Sequence, residues 1–248
     1  MPLILFTPRW IVSHIAMAVL VVAFIALGWW QFGVYRDSDA RQKERELPTV
    51  AIAELTTPGQ PFGAAAERSV EASGSYLTDP GLVVAARVHD GVLGSYSVGV
   101  LRTAEGSLPV LRGWIAEPDH PAAELPSGRV TVTGHLLSPE TSADATDPDA
   151  VLPAGQIGYI APESVSAETG IAPDQLYQGY LLLTEETPRP EVAPETLELS
   201  VVEPVGNVGP LQNLSYWALW WVFAGAAVVF WFSSARAAVR DRGSAAAD

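Results

Sequence analysis

Four histidines are the residues of this chain best suited to ligate a metal, carry a proton or hold a haem iron: His14, His89, His120 and His135. None stands at a metal-ligand spacing such as HxxxH from another histidine, or from Asp or Glu. His14 lies inside an apolar run, where an ionisable residue often marks a functional site, and of the four it is the histidine of most interest as a haem ligand. It sits near the start of that run, within reach of lipid headgroups, so an interfacial position is the favoured reading and haem ligation the alternative. His89 in RVHDG and His120 in PDHP read as turn residues. No nucleophile elbow, phosphate loop or dinucleotide fingerprint is present, so the chain does not read as an enzyme. It contains no cysteine, which excludes disulfides, thiolate-bound zinc or copper and iron–sulfur clusters. No metal site and no stably bound cofactor are expected.

Any site must be carried by elements of two kinds, because the apolar residues are unevenly spread. The chain has 248 residues, a net charge of −14 and a single lysine, Lys43. Nucleic-acid binding is excluded, since it needs clustered basic side chains. The mean hydropathy of +0.20 is high for an acidic protein. From Trp10 to Trp30, 21 residues pass without Asp, Glu, Lys or Arg, and from Leu214 to Phe232 another 19. At about 1.5 Å per residue, such runs span roughly the 30 Å hydrocarbon core of a bilayer. They read as transmembrane helices at 10–32 and 213–235. The small residues of Ala26-Leu27-Gly28 resemble a signal-peptidase site, but the apolar stretch is too long for a cleaved leader, so the first run is read as an anchor.

Basic flanks set the orientation. Arg236, Arg240 and Arg242 follow the second run, which makes 236–248 a cytoplasmic tail. The flanks of the first run, Arg9 against Arg36, Arg41, Lys43 and Arg45, point the other way. The second helix is given precedence, because two spans put both termini on one side and long loops translocate largely regardless of charge. Residues 1–9 are then cytoplasmic and 33–212 extracytoplasmic. That stretch carries 10 basic and 26 acidic residues, net −16. Trp29, Trp30, Trp217, Trp220 and Trp221 fall at one boundary, where they either anchor the helices in the interface or touch another membrane protein. Ala224 to Ala227 form a smooth patch suited to close helix packing.

Between the helices, β-branched or alternating stretches recur at 69–77, 81–88, 95–101, 108–115, 129–137, 156–161 and 175–183, separated by Gly, Pro and Asp. Helical pieces are expected at 37–47 and 162–169, an exposed loop at 138–150 and an extended lead back to the membrane at 187–195. The fold class is therefore a membrane protein in which two transmembrane helices flank a mainly antiparallel β (α+β) extracytoplasmic domain, open or closed into a barrel.

The order of short motifs resembles the surfeit locus protein 1 family. Leu27-Gly28-Trp29-Trp30-Gln31 matches its Leu-Gly-x-Trp-Gln signature at the end of the first helix, and Arg41, Lys43 and Arg45 its following basic helix. Gly74-Ser75-Tyr76, Gly94-Ser95-Tyr96-Ser97-Val98, Arg112-Gly113-Trp114 and Val132-Thr133-Gly134 follow in the family's order. Asn213-Leu214-Ser215-Tyr216 with Trp220 matches the signature that opens the second helix. The family's arginine three residues after the glutamine is replaced here by Val34, the first arginine being Arg36. Asn213 stands where many relatives have a histidine, and a neutral amide is a poor haem-iron ligand.

The resemblance implies a non-enzymatic assembly or accessory factor for an aa3-type cytochrome c oxidase, with oxidase subunits as partners and haem a as a transient ligand. A lasting subunit of a respiratory bc1–aa3 supercomplex and a haem a chaperone are the alternatives. A multi-pass protein in a bacterial plasma membrane, of actinobacterial type by its alanine-rich acidic composition, completes the expectation. Arg112-Gly113-Trp114 is open to two roles: Trp114 filling the core with Arg112 paired to a carboxylate, or a surface touching a partner.

Overall fold

The computed structural model describes residues 6–202 and 210–245, apart from the side chains of 41, 78–80, 210 and 241–245. Parts of the expected terminal segments 1–9 and 236–248, and the end of the stretch 33–212, lie outside the described residues. In chain order the elements are α1 (Pro8–Arg45), β1 (Val50–Ala51), β2 (Ser69–His89), β3 (Val92–Arg102), β4 (Ser107–Ile115), β5 (Arg129–Leu137), β6 (Gln156–Ile157), α2 (Pro162–Thr169), β7 (Tyr180–Thr187), α3 (Leu199–Val202) and α4 (Pro210–Ala245), with short 3-10 turns between them. Contacts divide the chain into two compact units, Met1–Gln42 with Gly206–Asp248, and Lys43–Val205.

The first unit is built from α1 and α4. Both are long and apolar enough to cross a membrane by length and composition, and only 6% and 11% of their most apolar windows is buried within the protein. A soluble protein's core helix would instead be covered. The helical piece expected at 37–47 is not separate, because α1 runs unbroken to Arg45. No proline interrupts it, Asp37 and Asp39 stand four residues before Arg41 and Lys43, and Lys43 and Arg45 fall in the last turn, where cations suit the helix dipole. Pro48 then disfavours helical backbone at Leu47. Of the smooth patch at 224–227, Ala224 alone is buried, and a Cβ at Gly225 would meet open space.

The second unit is mainly β. Strands expected at 69–77 and 81–88 are one strand, β2, whose register against β3 shifts twice, between Leu77 and Leu82 and between Val84 and Arg87. Antiparallel ladders join β2 to β3, β3 to β4, β5 to β7 and β2 to β5. β4 and β7 pair in parallel, so the ladder runs β2–β3–β4–β7–β5 and returns to β2. β1 and β6 add short parallel pairs to β2. The long ladders are antiparallel, as a mainly antiparallel domain requires, and the parallel pairings are short. The segment 116–179 between β4 and β7 is long enough to bring β7 in alongside β4. The strand expected at 156–161 shrinks to Gln156–Ile157, and that at 175–183 shifts to Tyr180–Thr187.

The β2–β3 hairpin closes through Asp90 and Gly91, at φ 48° and 78°. Such two-residue Asp-Gly turns match the right-handed twist of the strands they join. Neighbouring residues on the central strands belong to different core clusters: Leu101, Val110 and Leu181 to one, Val100, Leu111 and Leu182 to the other. Successive side chains point to opposite faces, so both faces of these strands are covered. That is why β3 and β4 are buried almost continuously along their length rather than at alternate residues.

Candidate functional site

In the β unit, the geometry converges on β4. The ladder between β3 and β4 sets Ser97 opposite Gly113 and Val98 opposite Leu111, which leaves Arg112 as the extra residue of a bulge. A bulge bends the strand and re-aims a side chain. Arg112 is turned inward and only 3% exposed. Its Nη2 donates to Glu186 Oε2 at 3.1 Å, and its Nη1 to the carbonyls of Ala122 at 3.3 Å and Glu124 at 3.0 Å. The guanidinium lies 5.7 Å from the centre of the Tyr76 ring. Burial, and then the charge of Glu186, hold the Tyr76 hydroxyl well above its ordinary pKa. Arg112 Nε and Glu186 Oε1 are buried without a hydrogen-bond partner. Both residues line a cavity of about 250 Å3 with Thr184, Arg189, Pro194 and Thr196.

One residue further on, Gly113 has φ 149°. A Cβ there would collide with the Glu195 carbonyl and with Pro194. The close approach lets Trp114 and Glu195 exchange backbone hydrogen bonds of 2.8 and 2.9 Å. Trp114 also donates from Nε1 to the Arg87 carbonyl at 3.1 Å.

Arg87 in turn donates through Nη2 to Glu140 at 2.7 Å and to the Gly158 carbonyl at 3.2 Å, and through Nη1 to the Asp144 carbonyl at 2.9 Å. Its guanidinium sits 5.4 Å from the Tyr96 ring centre. Glu140 additionally accepts the Ile160 amide at 2.8 Å. Burial raises the Glu140 carboxyl above the usual carboxylate range, against the opposing pull of Arg87. Arg87, Tyr96, Glu140, Asp144 and Tyr180 line a second cavity of about 360 Å3. The tyrosines of the two Gly-x-Tyr motifs thus each meet an arginine, Tyr76 with Arg112 and Tyr96 with Arg87.

In the helical unit, the polar residues at the seam are buried. Gln31 Nε2 donates to Asn213 Oδ1 at 2.9 Å, and Asn213 Nδ2 donates to Ser38 Oγ at 2.9 Å. Ser38 Oγ donates onward to the Val34 carbonyl at 2.9 Å. Gln31 and Ser38 are two helical turns apart on one face, and all three side chains are less than 8% exposed. Gly28 admits the partner helix, since a Cβ there would stand 3.3 Å from Trp221 Nε1. Phe24, Trp220 and Phe223 form a ring cluster below. Trp29, Trp30 and Tyr216 face outward, at 65%, 64% and 45% exposure. His14 accepts from Trp231 Nε1 at 3.1 Å and packs against Trp10 and Trp231.

A family model described as the SURF1 family matches residues 18–225. The chain belongs to the SURF1 family. Members are linked in general to cytochrome c oxidase assembly. No curated protein matches the sequence. The SURF1 match spans both groups of residues just described, from α1 through the β unit into α4.

Read on the structure, the motif residues fall into two separate groups. Gly28, Gln31, Asn213 and Trp220 meet in the helical unit, while Arg112, Gly113 and Trp114 meet Tyr76, Glu186 and Glu195 in the β unit. Trp30 and Tyr216 join neither packed group. Sequence reasoning missed Ser38, although its two-turn spacing from Gln31 was available. It also missed Glu186 and Glu195, for which no local signal exists: they are two of many carboxylates, chosen by strand register.

Proposed function

We propose that this SURF1-family chain is a non-enzymatic assembly or accessory factor for an aa3-type cytochrome c oxidase, supporting haem a insertion or stabilising oxidase subunits. The observation that carries this reading is the Gln31–Asn213–Ser38 bridge. It joins the two helix signatures through a neutral, hydrogen-bonded side chain at the position where many relatives have a histidine. Buried amides of this kind hold helices in register, whereas haem iron is held by an imidazole, thiolate, thioether or phenolate, none of which an asparagine supplies. The chain acts as a scaffold whose helices and external unit hold oxidase subunits, with haem a passing as a transient ligand.

The apolar character of α1 and α4 supports insertion in a bacterial plasma membrane, and the arginines after the second helix support cytoplasmic termini. The ring of strand pairings supports a barrel-like external domain. Deleting the gene is expected to lower the haem a absorbance and activity of the oxidase, with recovery on re-expression. Normal oxidase spectra and activity in the deletion strain would reject the reading.

Trp29 and Trp30, large and outward-facing, favour a second reading as a lasting subunit of a bc1–aa3 supercomplex. Stoichiometric recovery with mature oxidase in mild detergent supports permanence, and recovery with immature subunits alone rejects it. A haem a chaperone is separated from both by the optical spectrum of the purified protein with and without His14→Ala. A colourless protein from haem-replete cells rejects stable haem binding.

A further inference from the structure

The tip of the β2–β3 hairpin and the returning segment after β7 bring together three ligand-bearing side chains that the spacing rules did not pair. His89, Asp90 and Glu195 each present one ligand atom, and these atoms lie within 4.8 Å of one another. His89 Nε2 and Glu195 Oε1 stand 3.6 Å apart. We propose that His89, Asp90 and Glu195 form a binding site for a divalent transition-metal ion of the zinc or copper type, completed by water.

The donor set carries the choice of ion. One imidazole nitrogen and two carboxylate oxygens suit borderline ions, whereas calcium and magnesium take oxygen ligands in larger number. Three protein ligands with a remaining open position is the arrangement of an accessible zinc site. Around a tetrahedral ion with bonds of about 2.0–2.1 Å, ligand atoms stand about 3.3 Å apart. The His89–Glu195 pair is already near that spacing. The remaining closure falls to the carboxylates of Asp90 and Glu195, which are exposed to solvent.

The supports are more rigid than the ligands. The His89 side chain is only 11% exposed and its ring packs against Trp114, with centroids 5.9 Å apart. Trp114 fixes both arms at once. Its Nε1 holds the Arg87 carbonyl two residues before His89, and its backbone is bonded in both directions to Glu195. Asp90 is held in the turn at φ 48°. The Arg-Gly-Trp motif therefore seats Glu195 beside the hairpin tip, and a metal there would clip together segments separated by roughly 100 residues of chain. Its absence from sequence reasoning has a simple cause: Glu195 is distant in sequence, and HisAsp alone is an ordinary turn.

The test uses the untagged full chain in mild detergent, stripped with chelator and titrated with Zn(II) by calorimetry. The wild type is expected to bind one equivalent, and His89→Ala, Asp90→Asn and Glu195→Gln each to weaken it at least tenfold, with unchanged circular dichroism. Asp90→Asn keeps a residue that tolerates the left-handed turn, so its loss of binding cannot be ascribed to misfolding. Cu(II) electron paramagnetic resonance should show nitrogen coupling that disappears in His89→Ala and persists in His120→Ala. Equal zinc uptake by wild type and His89→Ala, or nitrogen coupling retained in His89→Ala, would overturn the proposal.

Discussion

Arg112 carries a buried charge into the β unit, and Glu186 is its one ion-pair partner among the described residues. The pair has side-chain exposures of 0% and 4%. Removing one member of such a pair strands the other in a medium that cannot solvate it, at about 3–5 kcal/mol, whereas replacing both with apolar residues of similar volume is often neutral. Arg112→Met and Glu186→Met are each expected to lower the denaturation midpoint strongly, and the double variant to recover most of the loss. Chemical denaturation of all four proteins in mild detergent measures the coupling, and additive losses would contradict it.

Glu140 gives a prediction of opposite character. Its folded pKa is raised above 4.5 chiefly by burial, so the folded state holds that proton more tightly than the unfolded chain does. The stability this group contributes is present below pH 4.5 and is lost as pH rises through the raised value. Glu140→Gln does not titrate. The stability of wild type relative to Glu140→Gln should therefore fall between pH 4 and pH 7, as followed by denaturation midpoints at the two pH values. At this scale the sequence announced Arg112 through its motif and its neighbours, but Glu186 and Glu140 are indistinguishable by composition from the other acidic residues.

Elements were easier to foresee than their joints. The apolar runs located α1 and α4, and β-branched clusters located most strands, because both signals are local. The Arg112 bulge, the parallel entry of β7 and the merging of two stretches into β2 depend on register across long separations, which no local window records. Gly113 shows the cost of those joints. Gly113→Ala would place a methyl group against the Glu195 carbonyl and force a side-chain-bearing residue to φ 149°. The loss is expected to be about 1–3 kcal/mol, with faster amide exchange confined to Trp114 and Glu195 if the joint opens locally.

The joint between α1 and α4 is polar instead. Asn213→Ala removes the shared partner of Gln31 and Ser38, leaving two buried groups short of a hydrogen bond at about 1–3 kcal/mol in total. A lowered melting temperature in detergent, with Asn213→Ala and Gln31→Ala non-additive, is the expected result. His14 and the Trp29-Trp30 pair show where local reading also runs out. Their burial depends on which face of α1 meets α4, and Gly28 and Gln31 set that face.

Over the whole molecule the charge is as unevenly distributed as the apolar surface. Residues 33–212 carry 26 acidic side chains against 10 basic ones, while α1 and α4 supply most of the exposed large apolar side chains. A partner bound through the acidic unit must present basic groups, and exposed charge pairs weaken as the Debye length falls from about 10 Å at 0.1 M salt to about 3 Å at 1 M. A partner bound through the helices is held by packing and buried hydrogen bonds, which salt hardly alters. If oxidase subunits dock on the β unit, their recovery with this chain in mild detergent should fall several-fold between low and high salt. Recovery should also fall at low salt when several acidic residues are changed together to their amides. Retention unaffected by both changes would assign the contact to the helices, where Trp29 and Trp30 offer the largest outward-facing rings.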